Sequence, residues 1–192
     1  MKLRSFIAVE IPADIHRAIM RSMASMQRAL PKPLIRWVES QNIHLTLKFL
    51  GDVSPVNLDQ LADALKVELA SHASFNISVG GLGAFPNSHR PRIIWVGLEA
   101  PIALTTLQRT VDTIAARMGY VPEEHPFSPH LTIGRVGQGV TSADLLRIQA
   151  AFDATTVGNL GEVHVESVHI FKSDLQPGGS VYTHLYTLPM KL

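Results

Sequence analysis

Two short segments constrain this chain more than any other feature: His44-Leu45-Thr46-Leu47 and His130-Leu131-Thr132-Ile133. Each reads as part of a β-strand, along which side chains alternate between faces with a period of two. His44 and Thr46 therefore share one face, and Leu45 and Leu47 share the other. His130 and Thr132 repeat the arrangement, backed by Leu131 and Ile133. An imidazole and a hydroxyl on one side, with an apolar pair on the other, occur twice in one chain. A fold with two related halves would bring the polar faces together across a cleft.

The intervening segments support such a duplication. Residues 5–11 read as a strand, followed by a helix with Ile15, Ile19, Met23, Met26 and Leu30 at helical spacing, which Pro31 and Pro33 end. A strand over 43–50 leads through Gly51 to a helix opened by Ser54-Pro55, with Leu58, Leu61, Leu65 and Leu69 on its buried stripe. Strands are expected at 75–82 and 92–98. Leu104, Leu107, Val111, Ile114 and Met118 then mark a helix that Gly119 terminates. A strand over 130–136 comes next, then a helix capped by Ser142 and carrying Leu145, Ile148 and Phe152. Strands near 162–171 and 181–188 close the chain, separated by the Gln176-Pro177-Gly178-Gly179 turn of a hairpin. Each half thus runs strand, helix, His-x-Thr strand, helix, strand, strand, the second borrowing 92–98 as its first element. The expected fold class is α+β, a single bilobal domain over 1–192. Its two pseudo-symmetric lobes are each an antiparallel sheet with helices on the outer face, and the active-site cleft lies between them.

Composition narrows the function. The chain has 192 residues, 46% hydrophobic and 17% charged, which suits a folded protein with a sizeable core. Its 17 basic and 16 acidic residues nearly cancel. That balance opposes wrapping long nucleic acid, though not reading the end of one strand. Arg90 and Arg92 form one local basic cluster, and Arg36, Lys48 and Arg135 another. The absence of cysteine excludes disulfides, thiolate catalysis and cysteine-held metals. The N-terminal residues lack the apolar core of a secretion signal, and no apolar run approaches a membrane span, so the expected location is cytoplasmic.

Two facing histidines and two hydroxyls suit displacement at phosphorus. An in-line reaction needs a base on the attacking oxygen and an acid on the leaving oxygen, and histidine serves either role near neutral pH. Threonine hydroxyls can donate to non-bridging oxygens as negative charge builds there. The scheme requires no metal, and the sequence has neither His-Glu-x-x-His nor a dense carboxylate cluster. The residues alone do not say which histidine is acid and which base.

The chain resembles the two-histidine (2H) phosphoesterase superfamily, and more closely the RNA 2',3'-cyclic phosphodiesterases, formerly called 2'-5' RNA ligases (LigT-like proteins). The similarity runs through Arg4–Val9, Arg36-Trp37-Val38, Asn42–Gly51, Gly81–Pro86, Pro91–Gly97, Phe127–Arg135 and Phe171–Leu175. It implies hydrolysis of a ribose 2',3'-cyclic phosphate at an RNA end to a 2'-phosphomonoester. By the same resemblance His44 is the proton donor to the departing O3', His130 the proton acceptor from water, and Thr46 and Thr132 hold phosphate. Phe49 and Arg135 match positions that bracket the base. Both lie five residues after their histidine, so strict alternation sets them on the wrong face and a bulge or strand end is required. The alternative for Phe49 is an ordinary core aromatic. No cofactor, metal, membrane or obligate protein partner is implied, and a monomer is expected.

Two competing readings use the same residues. One is 2'-5' RNA ligation by the same centre run in reverse, and the other is a non-catalytic module that binds nucleotides or RNA ends. Intact histidines in both motifs disfavour the second. The remaining histidines are assigned lesser roles: His16 and His72 solvated on helices, His89 in a basic loop with Arg90 and Arg92, His125 in a charged turn with Glu123 and Glu124. His164, His169 and His184 are assigned structural roles on strands. Trp37 and Trp95 are read as packing residues.

Overall fold

A computed structural model describes residues 2–177 and 179–191. Among these the order is β1 (Leu3–Val9), α1 (Ala13–Ala29), β2 (Ile35–Trp37), β3 (Leu45–Val53), α2 (Pro55–Leu69), β4 (Phe75–Phe85), β5 (Ile93–Glu99), α3 (Ile102–Arg117), β6 (His130–Val136), α4 (Ser142–Asp153), β7 (Asn159–Val165), β8 (Ser167–Gln176) and β9 (Gly179–Pro189). The strands form one curled antiparallel path, β7-β4-β5-β6-β3-β1-β8-β9, with β2 added on β6. The predicted α+β class with two related halves is what the chain adopts.

Two four-strand groups meet where β3 joins β6, at a single residue pair, Leu45 opposite Leu131. One four-strand run, β3-β1-β8-β9, lies to one side of it, and β6-β5-β4-β7 lies to the other. In each group the His-x-Thr strand is innermost, with the strand that opens its half beside it. Helices α2 and α3 pack on the first group, against β9 and β3, and α1 and α4 associate with the second, where α1 meets β7. The sequence halves are therefore interleaved. β1 and β3 from the first half share a group with β8 and β9 from the second, and β4 from the first lies between β5 and β7 from the second.

Apolar periodicity explains most of this. Ile15, Ile19, Met23 and Met26 of α1, and Leu58, Leu61, Leu65 and Leu69 of α2, are buried. So are Leu104, Leu107, Val111 and Ile114 of α3. They join the inward residues of the strands in one apolar cluster. Burying each such side chain contributes about 1.5–3 kcal/mol.

The differences from expectation are local. The apolar run near 162–171 is two strands, split at Glu166, because β7 pairs with β4 while β8 pairs with β1. The cap of α4 is Thr141, not Ser142: Thr141 Oγ1 accepts from Asp144 N at 3.2 Å and Asp144 Oδ2 accepts from Thr141 N at 2.9 Å. This reciprocal box satisfies two otherwise unpaired N–H groups. The short β2 is not legible in the sequence; three residues just after Pro31 and Pro33 carry too little periodicity. The β8–β9 hairpin forms with Gln176 opposite Gly179, and Gly178 of its turn lies outside the described residues. Among the described residues no helix is long and apolar enough to cross a membrane.

Candidate active site

The Leu45–Leu131 pair determines what faces the cleft. Both leucines are fully buried toward the helices. Their flanking residues must point to the opposite face. Counting outward in the antiparallel sense puts Thr132 beside His44 and His130 beside Thr46. All four side chains line one cleft of about 590 Å³ between the two strand groups. Because β3 and β6 pair only at this point, they diverge on either side and leave the cleft open.

Phe49 and Arg135 line the same cleft, by a symmetric device. In β3, Thr46 pairs with Ala8 and Lys48 with Ile7, so Leu47 is an extra residue. In β6, Thr132 pairs with Trp95 and Gly134 with Ile94, so Ile133 is extra. Each bulge falls three residues after the motif histidine and shifts the alternation by one. Phe49 thereby comes opposite Phe6, and Arg135 opposite Ile93 and Arg36. Phe49 is 66% exposed, which excludes a core role. Arg36 and Arg135 are exposed, directly opposed across β2 and β6, and both line the cleft. Like charges in opposed positions repel, and an anion between them would relieve that repulsion.

The two histidines sit in different surroundings. The His44 ring stacks on Phe6 (centroids 4.6 Å, 22°) and meets Tyr182 edge-on at 5.2 Å, with Phe171 behind at 6.3 Å. Burial in this aromatic wall pushes its pKa from 6.5 down to about 4, only partly opposed by the hydrogen bond with the Asn42 backbone. His16 adds a small further lowering. His16 is not simply solvated: its Nε2 lies 2.9 Å from the Ile43 carbonyl oxygen. His130 has its Nδ1 2.7 Å from the carbonyl oxygen of Ser128. A carbonyl only accepts, so Nδ1 carries the hydrogen and Nε2 keeps its lone pair when the ring is neutral. Phe85 presses edge-on against His130 at 4.9 Å, and Trp95 lies 6.3 Å away.

A buried clamp holds the segment that leads into His130. Lys48, 3% exposed, pairs with Asp112 of α3 and donates to the Val121 carbonyl at 2.7 Å. Asp112 also accepts from Glu123 N at 3.3 Å. Lys48 therefore does not add to the cleft's free positive charge, as its grouping with Arg36 had suggested. Glu123, His125, Phe127 and Ser128 from the clamped segment all line the cleft. Trp37 donates from Nε1 to the Leu30 carbonyl at 3.0 Å and also borders the cleft. Sequence reasoning did not single out the aromatic wall of Phe6, Phe171 and Tyr182, nor the Ser128 carbonyl. A period of two puts Phe6 and Phe171 on one face of their strands, but it does not say what they meet.

The chain matches the family model described as LigT like phosphoesterase twice, over residues 9–95 and 96–182. It is 34% identical over 190 residues to the RNA 2',3'-cyclic phosphodiesterase of Methanothermobacter thermautotrophicus, covering 96% of this chain and 97% of that one. Identity to the protein of that name from Thermotoga maritima is 30% over 185 residues, covering 96% and 94%. Among solved structures, Escherichia coli LigT complexed with 3'-AMP superposes with a TM-score of 0.79 at 26% identity over 100% of both chains. The same protein complexed with ATP gives 0.73 at 26% identity, with 100% of both chains covered.

Proposed function

Because the chain belongs to the LigT-like phosphoesterases of the two-histidine superfamily, we propose that it hydrolyses the 2',3'-cyclic phosphate at RNA ends to a 2'-phosphomonoester, without a metal. The observation that carries this reading is the placement of His44, Thr46, His130 and Thr132 on one face around the Leu45–Leu131 pair. Relatives bearing the name RNA 2',3'-cyclic phosphodiesterase over nearly the full length support the substrate class. The nucleotide in the Escherichia coli complex supports a nucleotide-sized occupant.

In this scheme Nε2 of His130 takes a proton from water, and the water oxygen attacks phosphorus. The P–O3' bond breaks, and His44 delivers its proton to O3'. Thr46 and Thr132 donate hydrogen bonds to the non-bridging oxygens as their charge grows. The terminal base rests between the exposed ring of Phe49 and the guanidinium of Arg135, which also attracts the phosphate.

An acid must hold a proton, yet in the free protein His44 titrates at about 4. The substrate's own charge supplies the difference. A unit negative charge ~4 Å away favours the imidazolium by about 4 kcal/mol at an effective dielectric of ~20. At ~1.36 kcal/mol per pKa unit that is roughly three units, enough to restore the proton near neutral pH. His44 thus becomes an acid as the phosphodiester binds.

The test is a short RNA ending in a 2',3'-cyclic phosphate, incubated with the protein in excess EDTA. A 2'-phosphate product at undiminished rate is expected. A rate abolished by EDTA would sink the metal-free scheme, and a 3'-phosphate product would reverse the leaving oxygen. His44→Ala and His130→Ala should each lower turnover by about 10²–10⁴-fold. Near-normal turnover in either would overturn the site assignment.

A further inference from the structure

Three potential metal-binding side chains converge away from the cleft. His169 lies on β8, opposite Ala8 of β1 and Thr187 of β9. His184 lies on β9, opposite Phe171, and Glu10 follows the end of β1. His169 Nδ1 lies 2.9 Å from His184 Nε2, and Glu10 Oε2 lies 3.8 Å from His169 Nε2. One donor atom from each of Glu10, His169 and His184 falls within 4.8 Å of the other two. None of the three lines the catalytic cleft.

We propose that Glu10, His169 and His184 form a binding site for one divalent first-row transition cation, with Zn²⁺ the best fit. Two imidazole nitrogens and one carboxylate oxygen are the donor set such ions take, with a fourth position left for water. Ligands at ~2.0–2.1 Å in a tetrahedron stand about 3.3 Å from one another. The 2.9 Å imidazole separation needs to open by only tenths of an ångström. Glu10 has to move furthest, from its place 3.8 Å from His169 Nε2 round to the Nδ1 side, and its side chain is 55% exposed. His169, which is buried, is the fixed member. With its Nδ1 on the metal, its Nε2 stays 2.9 Å from Ser167 Oγ, the kind of outer hydrogen bond that orients a metal-bound histidine. Thr187 Oγ1, 3.2 Å from His184 Nε2, stands beside the open position.

The bound cation ties the end of β1 to β8 and β9. Phe171 separates it from the cleft: its ring lies 5.3 Å from His184 on one side and 5.3 Å from Phe6 on the other, and Phe6 stacks on His44. The cation's contribution is therefore to the scaffold behind His44, not to the reacting phosphate.

The experiment titrates Co²⁺ and then Zn²⁺ into the chelator-treated full-length protein, following the visible absorption of bound Co²⁺ and the melting temperature. One equivalent should bind, Zn²⁺ should displace Co²⁺, and the melting temperature should rise with Zn²⁺ concentration. His44→Ala/His130→Ala should leave this binding unchanged. His184→Ala and Glu10→Gln, at exposed positions, should each weaken it by tenfold or more, and Ser167→Ala by about tenfold. Absence of saturable Co²⁺ binding overturns the proposal. So does binding that survives both His184→Ala and Glu10→Gln, or that disappears in the His44/His130 double variant.

Discussion

In the proposed scheme His44 couples substrate charge to proton uptake. Its pKa of about 4 in the free protein arises chiefly from burial against Phe6 and Tyr182, so it is neutral at pH 7. Binding of a nucleoside 2'-phosphate should raise it toward neutrality, visible as a shifted titration of the His44 ring protons by NMR. An unchanged titration would mean that His44 does not face the phosphate. The same depression links stability to pH. Between pH ~6.5 and ~4 the unfolded chain binds the His44 proton and the folded chain does not. This residue therefore adds nothing above pH ~6.5 and lowers stability as pH falls through that window, by about 3 kcal/mol in all. Urea unfolding of His44→Gln should show a correspondingly flatter acid limb.

At the scale of elements, the site depends on interruptions in its strands. The extra residues Leu47 and Ile133 turn Phe49 and Arg135 onto the face of the histidines. The motif itself announces neither bulge; the need for them shows only as a parity conflict five residues on. Gly83 of β4 matters for another reason: a Cβ there would stand 2.0 Å from the Trp95 ring. Trp95 packs against Phe85, and both lie near His130. Gly83→Ala should displace that ring, costing about 1–3 kcal/mol in unfolding free energy and lowering kcat more than it raises KM. The α4 cap is a useful contrast. Thr141→Ala should cost about 1 kcal/mol by denaturation while leaving turnover unchanged, because α4 contributes no cleft residue.

For the whole molecule, interleaving is the decisive property. Strand β1 has β3 from its own half but needs β8, and β4 is flanked by β5 and β7, both from the other half. A fragment ending at residue 95 would leave those edges and their apolar faces without partners. Expressed alone, 1–95 and 96–192 should each lack a cooperative unfolding transition by circular dichroism. Mixed together, they should recover one, with activity if the Leu45–Leu131 junction forms. A stable, cooperative 1–95 fragment would show that each half folds by itself.

Periodicity was enough for the four helices, most strands and the pairing of each histidine with its threonine, because those follow from local spacing and burial. The repeated order of elements, together with the two motifs, also made two related halves legible. What residue spacing could not carry was partnership across the chain. The break at Glu166 within one apolar run, the exchange of β4 and β8 between groups, and the aromatic wall around His44 all depend on contacts between distant residues. So does the asymmetry between the histidines. The two motifs are nearly identical as sequence, and only the tertiary structure buries one ring among aromatics and turns the other toward the Ser128 carbonyl.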